Sequence, residues 1–162
     1  QRQMCIRDSG KASALGAVTG MVAGLGTITP ASGFVGPGGG LIIGLSAGVV
    51  CYYATGYIKR TLRIDDSLDV FPVHGVGGIL GTLMTGVFAS NALGVFSGQE
   101  DIAIGAQVSI QAVGILSAIC YTAVVTYVIL KVTDAVVGNR VDEEDELQGL
   151  DLVSHDERGY DL

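Results

Sequence analysis

Three long stretches of the chain carry no charged side chain, and they dominate its pattern of hydrophobic and polar positions. They cover residues 12–58, 70–99 and 103–130. A helix needs about 20 largely apolar residues to cross the roughly 30 Å hydrocarbon core of a bilayer. The first stretch is long enough for two crossings, and its segment TITPASGFVGPGGG (27–40) carries prolines and glycines that interrupt a helix. The pattern predicts four transmembrane helices, at about 14–34, 39–58, 68–89 and 102–133.

Basic residues lie on alternate sides of these predicted helices. They precede the first helix, follow the second and follow the fourth (Lys11; Lys59, Arg60 and Arg63; Lys131 and Arg140). Because cytoplasmic loops are enriched in lysine and arginine, this distribution places residues 59–67 and the C-terminus in the cytoplasm. We therefore expect a multi-pass protein of the cell membrane.

Composition supports a membrane protein and excludes both a disordered chain and an ordinary soluble domain. The mean hydropathy is +0.52, 49% of the residues are hydrophobic, and the 25 glycines are roughly twice the usual share. The net charge is −7, but nine acids and one arginine from Val141 onward contribute −8, so the rest of the chain sums to +1. The acidity belongs to a C-terminal tail.

These observations predict an all-α polytopic membrane protein with three parts. Residues 1–9, QRQMCIRDS, are polar and unlike the apolar segment after them, and we interpret them as a non-native scar. Residues 10–138 form the membrane region and residues 139–162 the acidic cytoplasmic tail. The three cysteines have no paired spacing. We therefore predict no metal, no cofactor, no nucleic-acid partner and no enzymatic chemistry.

Small residues recur at every fourth position in three of the four predicted helices. In lipid, close backbone approach at such positions is a main source of helix packing. We interpret the three rows as packing ridges of a tight bundle (Gly16, Gly20 and Gly24; Gly40, Gly44 and Gly48; Gly77, Gly81 and Thr85).

His74 is the one ionisable side chain between Val70 and Ser90. Such a residue inside a membrane span is a candidate for function, because its charged form is costly there. The alternative is a neutral imidazole hydrogen-bonded to a neighbouring helix. Helical spacing places His74 on the face of Gly77, Gly81 and Thr85 (and of Gly78), so we expect it to point into the bundle. The functional interpretation is favoured.

The acids before this helix are given structural roles. We predict that Asp69 caps the helix at its cytoplasmic end, with Pro72 in the first turn, where a missing N–H costs little. Asp65 and Asp66 are interpreted as solvated loop acids. In the tail, VDEEDELQGL predicts a short helix with Asp142 as N-cap and Gly149 as its stop.

Three segments carry a resemblance to the ammonium transporter family (Amt/Mep/Rh), which runs from about Gly10 to Tyr160. DDSLDVFPVHGVGGILGTLMTGVFA (65–89) is similar to the family's signature region, and residues 14–54 are similar to the two helices before it. QGLDLVSHDERGY (148–160) resembles the tail motif of bacterial members. Pro72 and Asp156 depart from the family pattern, which often has glycine at both positions.

The resemblance implies a homotrimer whose protomer has eleven helices around a narrow apolar pore. We expect this chain to be a fragment that supplies the last four. His74 matches the second of two pore histidines, which implies lumen hydrogen bonding and proton relay during ammonium or ammonia transport. The tail residues Gly149, Leu150, Asp151 and His155 would contact a regulator of the PII type.

Two alternatives to an Amt transporter remain open. One is an ammonium-sensing or regulatory membrane module, which we consider weaker because few residues follow the tail motif. The other is a Rhesus-type gas channel, which fits less well because the tail pattern resembles bacterial Amt proteins. In every case ammonium or ammonia and the lipid bilayer are the expected partners.

Overall fold

The computed structural model describes residues 14–89, 93 and 103–157, and every regular element in these ranges is a helix. The membrane part contains four helices: α1 (Ala14–Ile28), α2 (Pro37–Arg60), α3 (Gly77–Phe88) and α4 (Ile104–Val136). A π-helical turn, Phe71–Val76, lies directly before α3. The tail contains α5 and α6 (Glu143–Gln148 and Leu150–His155). The described residues up to Ser117 form one compact unit and those from Ala118 a second.

Three helical stretches are long and apolar enough to cross a membrane. They are Pro37–Arg60, Phe71–Phe88 and Ile104–Val136. In α1 the structure describes 15 residues, fewer than a crossing needs. The chain is therefore an all-helical, membrane-integral protein, and the predicted fold class is confirmed.

Two prolines explain how α1 gives way to α2. Pro30 lies in a single 3-10 turn, Thr29–Ala31, which follows α1, and the Thr29 hydroxyl donates to the Leu25 carbonyl at 2.8 Å. Pro37 is the first residue of α2, a position where a residue without an N–H is well tolerated. The helix thus ends at Ile28, and the segment up to Phe34, predicted as its bent end, is a turn.

α1 and α3 pack most closely where Thr27 meets two glycines. Thr27 is fully buried. A Cβ built on Gly81 would overlap the Thr27 carbonyl, and one on Gly77 would lie 2.8 Å from the Thr27 hydroxyl oxygen and 3.4 Å from Cys51 Sγ. Only glycine allows this approach, so the predicted packing role of the Gly77, Gly81 and Thr85 row is confirmed.

In the part of the chain that the structure describes, the other two glycine rows make few close contacts. A Cβ built on Gly40 would lie at van der Waals distance from Ile28, at 3.8 Å. Cβ atoms built on Gly20, Gly24, Gly44 and Gly48 would have no neighbour within 4 Å. Buried residues of each helix form a row one residue away from its glycine row. This row contains Ala23 and Thr27 in α1, and Ile43, Ala47, Cys51 and Thr55 in α2. One residue is about 100° around a helix, and insertion of Thr27 at Gly77 and Gly81 fixes which row faces inward. Packing through these two rows is not seen among the described residues and stays a prediction for the complete bundle.

α3 also approaches the first part of α4. A Cβ built on Gly86 would lie 3.0 Å from Val108 Cα, so glycine again permits close backbone contact. No described residue of α4 is buried. With 33 residues, α4 is about 50 Å long and exceeds the thickness of the hydrocarbon core.

The first tail helix, α5, forms where it is predicted, whereas α6 is not predicted from the sequence. Asp142 precedes α5, and its carbonyl accepts from the N–H groups of Asp145 and Glu146 at 3.1 Å, although its carboxylate makes no capping bond. Gly149 ends α5 with a φ of 101°, a conformation that favours glycine. Glycine at this position therefore fixes the turn into α6.

Candidate functional site around His74

His74 lies in the π-helical turn Phe71–Val76, not in a regular α-helix. π-Helical turns are rare and occur frequently at functional sites. Pro72 is the second residue of this turn, where its missing N–H leaves little unsatisfied. The turn runs directly into α3, so α3 and its packing against Thr27 carry the segment that holds the imidazole.

The imidazole faces a part of α1 that has no side chain. A Cβ built on Gly26 would lie 3.8 Å from His74 Nδ1. His74 itself is exposed, whereas its neighbours Pro72 and Val73 are buried. In the part of the chain that the structure describes, no group hydrogen-bonds to the ring. Both ring nitrogens are thus free to bind a group outside these residues.

Within this chain His74 is not buried with Gly77, Gly81 and Thr85, and its predicted orientation into the complete bundle stays a prediction. Those three residues are buried and His74 is exposed. In a continuous α-helix, positions 74 and 81 would lie nearly in line, two turns apart. A π-helical turn holds more residues per turn, so it displaces His74 around the helix axis from the row of Gly77 and Gly81 and leaves the ring beside Gly26 of α1.

Asp66, and not Asp69, caps the start of this helical segment. Its two carboxylate oxygens accept hydrogen bonds from the N–H groups of Val70 and Phe71, at 2.9 and 2.8 Å. Such caps satisfy donors that have no partner inside the helix. The prediction that the Asp69 side chain caps the helix is wrong, because Asp66 takes this role; Asp66 remains a solvent-accessible loop acid, as predicted, with a capping function that is not predicted from the sequence.

Asp69 instead forms an ion pair with the end of α2. Lys59 Nζ lies 2.6 Å from Asp69 Oδ1, and 16% and 12% of the two side chains are exposed. The contact is an ion pair, in which opposite charges attract. Asp69 also has a φ of 57°, in the left-handed region. Its structural role near the start of the segment is retained, with a different partner.

The environment of Asp66 stabilises its ionised form. Burial opposes ionisation, but the N–H groups of Phe71 and Val70 and the charge of Lys59 outweigh it and hold the pKa of Asp66 below its ordinary value. A carboxylate of this kind adds stability above its ordinary pKa of about 4, and that stability is lost as the pH falls through the lowered pKa.

Asp66→Ala should lower the free energy of unfolding by about 1 kcal/mol at pH 7, because two backbone donors lose their acceptor. The difference from the parent should shrink as the pH falls below about 4, where Asp66 of the unfolded chain protonates, and vanish once the native carboxylate, whose pKa is lower, is protonated too. Thermal unfolding in detergent at several pH values measures both effects. Asp65→Ala is the matched control, and an Asp66→Ala loss equal to that of the control would contradict the capping role.

The tail residues predicted to contact a regulator lie on or beside α6. Gly149 joins α5 to α6 and is half-buried. Leu150, Asp151 and His155 are exposed. One interaction here is not predicted from the sequence. Arg140 donates two hydrogen bonds of 2.9 Å to the Glu146 carboxylate, and this arginine holds the pKa of Glu146 below its ordinary value. The pair fastens α5 to the segment after α4.

A cavity of about 110 Å³ lies between α1 and α2, on small residues and two threonines (Gly16, Thr19, Gly20, Ala23, Gly48, Cys51, Tyr52, Thr55 and Val73). His74 is not among its lining residues. The imidazole is therefore outside this cavity, and it is exposed in the described chain.

Comparison with known proteins decides the family. The model of the Ammonium Transporter Family matches residues 3–160. The chain belongs to the ammonium transporter family. This is a family of membrane transporters, and its match includes the His74 segment and the tail.

Two ammonium transporters illustrate the similarity. One from Aquifex aeolicus is 46% identical over 155 residues, which are 94% of this chain and 36% of that protein. One from Mycobacterium tuberculosis is 41% identical over 164 residues, with 97% and 34% covered. This chain thus spans about a third of the length of these relatives.

A solved structure has the same fold over most of the chain. The protein named Sensor Amt Protein matches with a TM-score of 0.78 and 31% identity, over 94% of this chain and 36% of its own. The helical arrangement of this chain is therefore the arrangement of part of an ammonium transporter family protein.

Proposed function

We propose that the complete protein carries ammonium across the membrane as ammonia, and that His74 lines its pore. The observation that carries this proposal is an exposed imidazole, without a hydrogen-bond partner among the described residues, in an otherwise uncharged membrane segment. An ionisable group in such a segment almost always faces a bundle interior or an aqueous cavity in the assembled protein.

The chemistry of ammonium suits such a site. Ammonium is close in size to potassium, so a pore that attracted only charge would pass both ions. An apolar pore that accepts the deprotonated amine excludes potassium, because a metal ion has no proton to release and must be desolvated as a charge. A neutral imidazole offers one donor and one acceptor, with which it can orient ammonia and pass a proton along the lumen.

The remaining features of the proposal concern the assembly. His74 pairs with a second histidine supplied by the other half of the protomer, and three protomers assemble in the cell membrane. The tail lies in the cytoplasm, where Gly149, Leu150, Asp151 and His155 contact a PII-type signal protein. Exposure of three of these side chains, together with the acidic tail around them, supports the proposed contact.

A sensing role is the second candidate. It is favoured by the likeness to the protein named Sensor Amt Protein, which extends over 94% of this chain. A sensor would bind ammonium without needing to carry charge across the bilayer. Transport and sensing therefore differ in whether ammonium produces a current.

The test uses a full-length chimera, in which residues 10–162 replace the matching segment of the Aquifex aeolicus relative. Purified chimera in proteoliposomes on a solid-supported membrane should give a current when ammonium is added and none when potassium is added. This chain alone should give neither, because the proposed pore needs both halves of the protomer. A monodisperse, membrane-inserted chimera without an ammonium current would contradict transport, and an equal potassium current would contradict the pore chemistry.

A further inference from the structure

We propose that Lys59 is a positioning residue for His74. Its ion pair with Asp69 fixes the turn before the π-helical segment and thereby the direction of the imidazole. The functional consequence rests on the proposed role of His74 in the pore. The structural consequence does not depend on that role.

The ion pair joins two consecutive elements across the loop that connects them, between residues ten positions apart. Lys59 lies in the last turn of α2, and Asp69 lies in the turn before Phe71–Val76. Both side chains are sheltered, with 16% and 12% of their surface exposed. A sheltered carboxylate without a compensating charge is unfavourable, so the contact ties the position of Asp69 to α2.

The backbone of Asp69 needs such a constraint. Its φ of 57° is in the left-handed region, which residues with a side chain rarely adopt. A conformation of this kind persists only where the surroundings hold it. The Asp69 N–H donates to the Asp66 carbonyl at 3.3 Å, a long bond that holds the turn weakly on its own. Lys59 supplies the contact from the adjacent helix.

A short path of contacts leads from Asp69 to the imidazole. The Asp69 carbonyl accepts a 3.0 Å hydrogen bond from the N–H of Val73, the residue before His74. Val73 is 3% exposed and lies in the core with Ala23 and Cys51. The Val73 N–H is bonded to Asp69 and its side chain is held in the core. A change in the Asp69 turn therefore alters the backbone between Asp69 and His74. Without the ion pair, the Asp69 carboxylate turns toward water and the first turn rearranges.

The test compares three variants of the full-length chimera, two at Lys59 and one at the neighbouring Arg60. Lys59→Gln removes the ion pair. Arg60→Gln makes the same change of charge at the next residue, which is exposed and has no described ion pair. Lys59→Arg keeps the charge. The direct readout is the nitrogen chemical shift of the His74 imidazole in a solid-state NMR spectrum, assigned as the signal that His74→Ala lacks.

Lys59→Gln should shift or split the His74 signal, whereas Arg60→Gln and Lys59→Arg should leave it in place. The ammonium current of Lys59→Gln should fall about tenfold. Loss of one partner of a sheltered ion pair lowers the population of the native arrangement by at least about tenfold. Where Lys59→Gln does not fold, Asp69→Asn breaks the same pair without leaving a buried carboxylate behind, and it should shift the signal in the same way.

The outcomes separate this inference from the proposed function. An unchanged His74 signal in folded Lys59→Gln or Asp69→Asn overturns the positioning role, whatever the current does. A shifted signal with a full ammonium current retains the positioning role and overturns the role of His74 in conduction.

Discussion

Gly81→Ala should destabilise the protein severely, by about 3 kcal/mol or more in the free energy of unfolding, because the added methyl group overlaps the backbone carbonyl of Thr27. A clash with backbone cannot be relieved by a rotamer change, so α1 and α3 must separate. Thermal unfolding and size-exclusion chromatography of the protein purified in detergent measure the loss.

Two variants of the same helix make this prediction specific. At Gly78 an added Cβ meets nothing within 4 Å, so Gly78→Ala should be neutral or slightly stabilising through its higher helix propensity. At Gly77 the added Cβ would meet the Thr27 hydroxyl at 2.8 Å, so Gly77→Ala should be rescued in part by Thr27→Ala. Gly81→Ala should not be rescued by that change. If Gly81→Ala unfolds at the same temperature as Gly78→Ala, the close approach of α3 to α1 at Thr27 is wrong.

The membrane helices can be predicted from the sequence because their signal is simple. Uncharged stretches of about 20 residues have few structures available in lipid other than helices. The break at Pro30 and Pro37 is equally clear, since proline at both positions disfavours a continuous helix. The candidate functional residue His74 is predicted on the same ground, as an ionisable side chain that the stretch would otherwise exclude.

Rotation about the helix axis and the geometry of short turns could not be predicted from the sequence. Three glycine rows have the same spacing, and only the tertiary fit of Thr27 decides that Gly77 and Gly81 face a neighbour in the described chain while Gly20 and Gly44 do not. The π-helical turn that rotates His74 has no signal in the sequence beyond Pro72. Asp66 and Asp69 are equally plausible caps until the turn between them is known. The Lys59 contact joins residues ten positions apart through that same turn.

His74→Ala should abolish most of the ammonium current of the full-length chimera. In the proposed pore, alanine leaves the partner imidazole without its hydrogen bond, at a cost of about 1–3 kcal/mol, which corresponds to roughly 5–150-fold in rate. It also removes the group that relays the proton, so ammonium would have to cross the apolar lumen as an ion. The remaining current should therefore discriminate less against potassium. His74→Glu keeps a titratable group in place and should retain more ammonium current than alanine does.

The chain offers a matched control, because it has two histidines and the second lies in the tail. His155→Ala removes an exposed imidazole from α6, far along the sequence from the membrane helices, and should leave the current unchanged when no regulatory partner is present. Currents evoked by ammonium and then by potassium, on a solid-supported membrane with equal amounts of folded protein, make the comparison. A full ammonium current with unchanged selectivity in His74→Ala would reduce His74 to a surface residue beside Gly26. Loss of current together with loss of potassium exclusion would tie both properties to one imidazole, as the deprotonation mechanism requires.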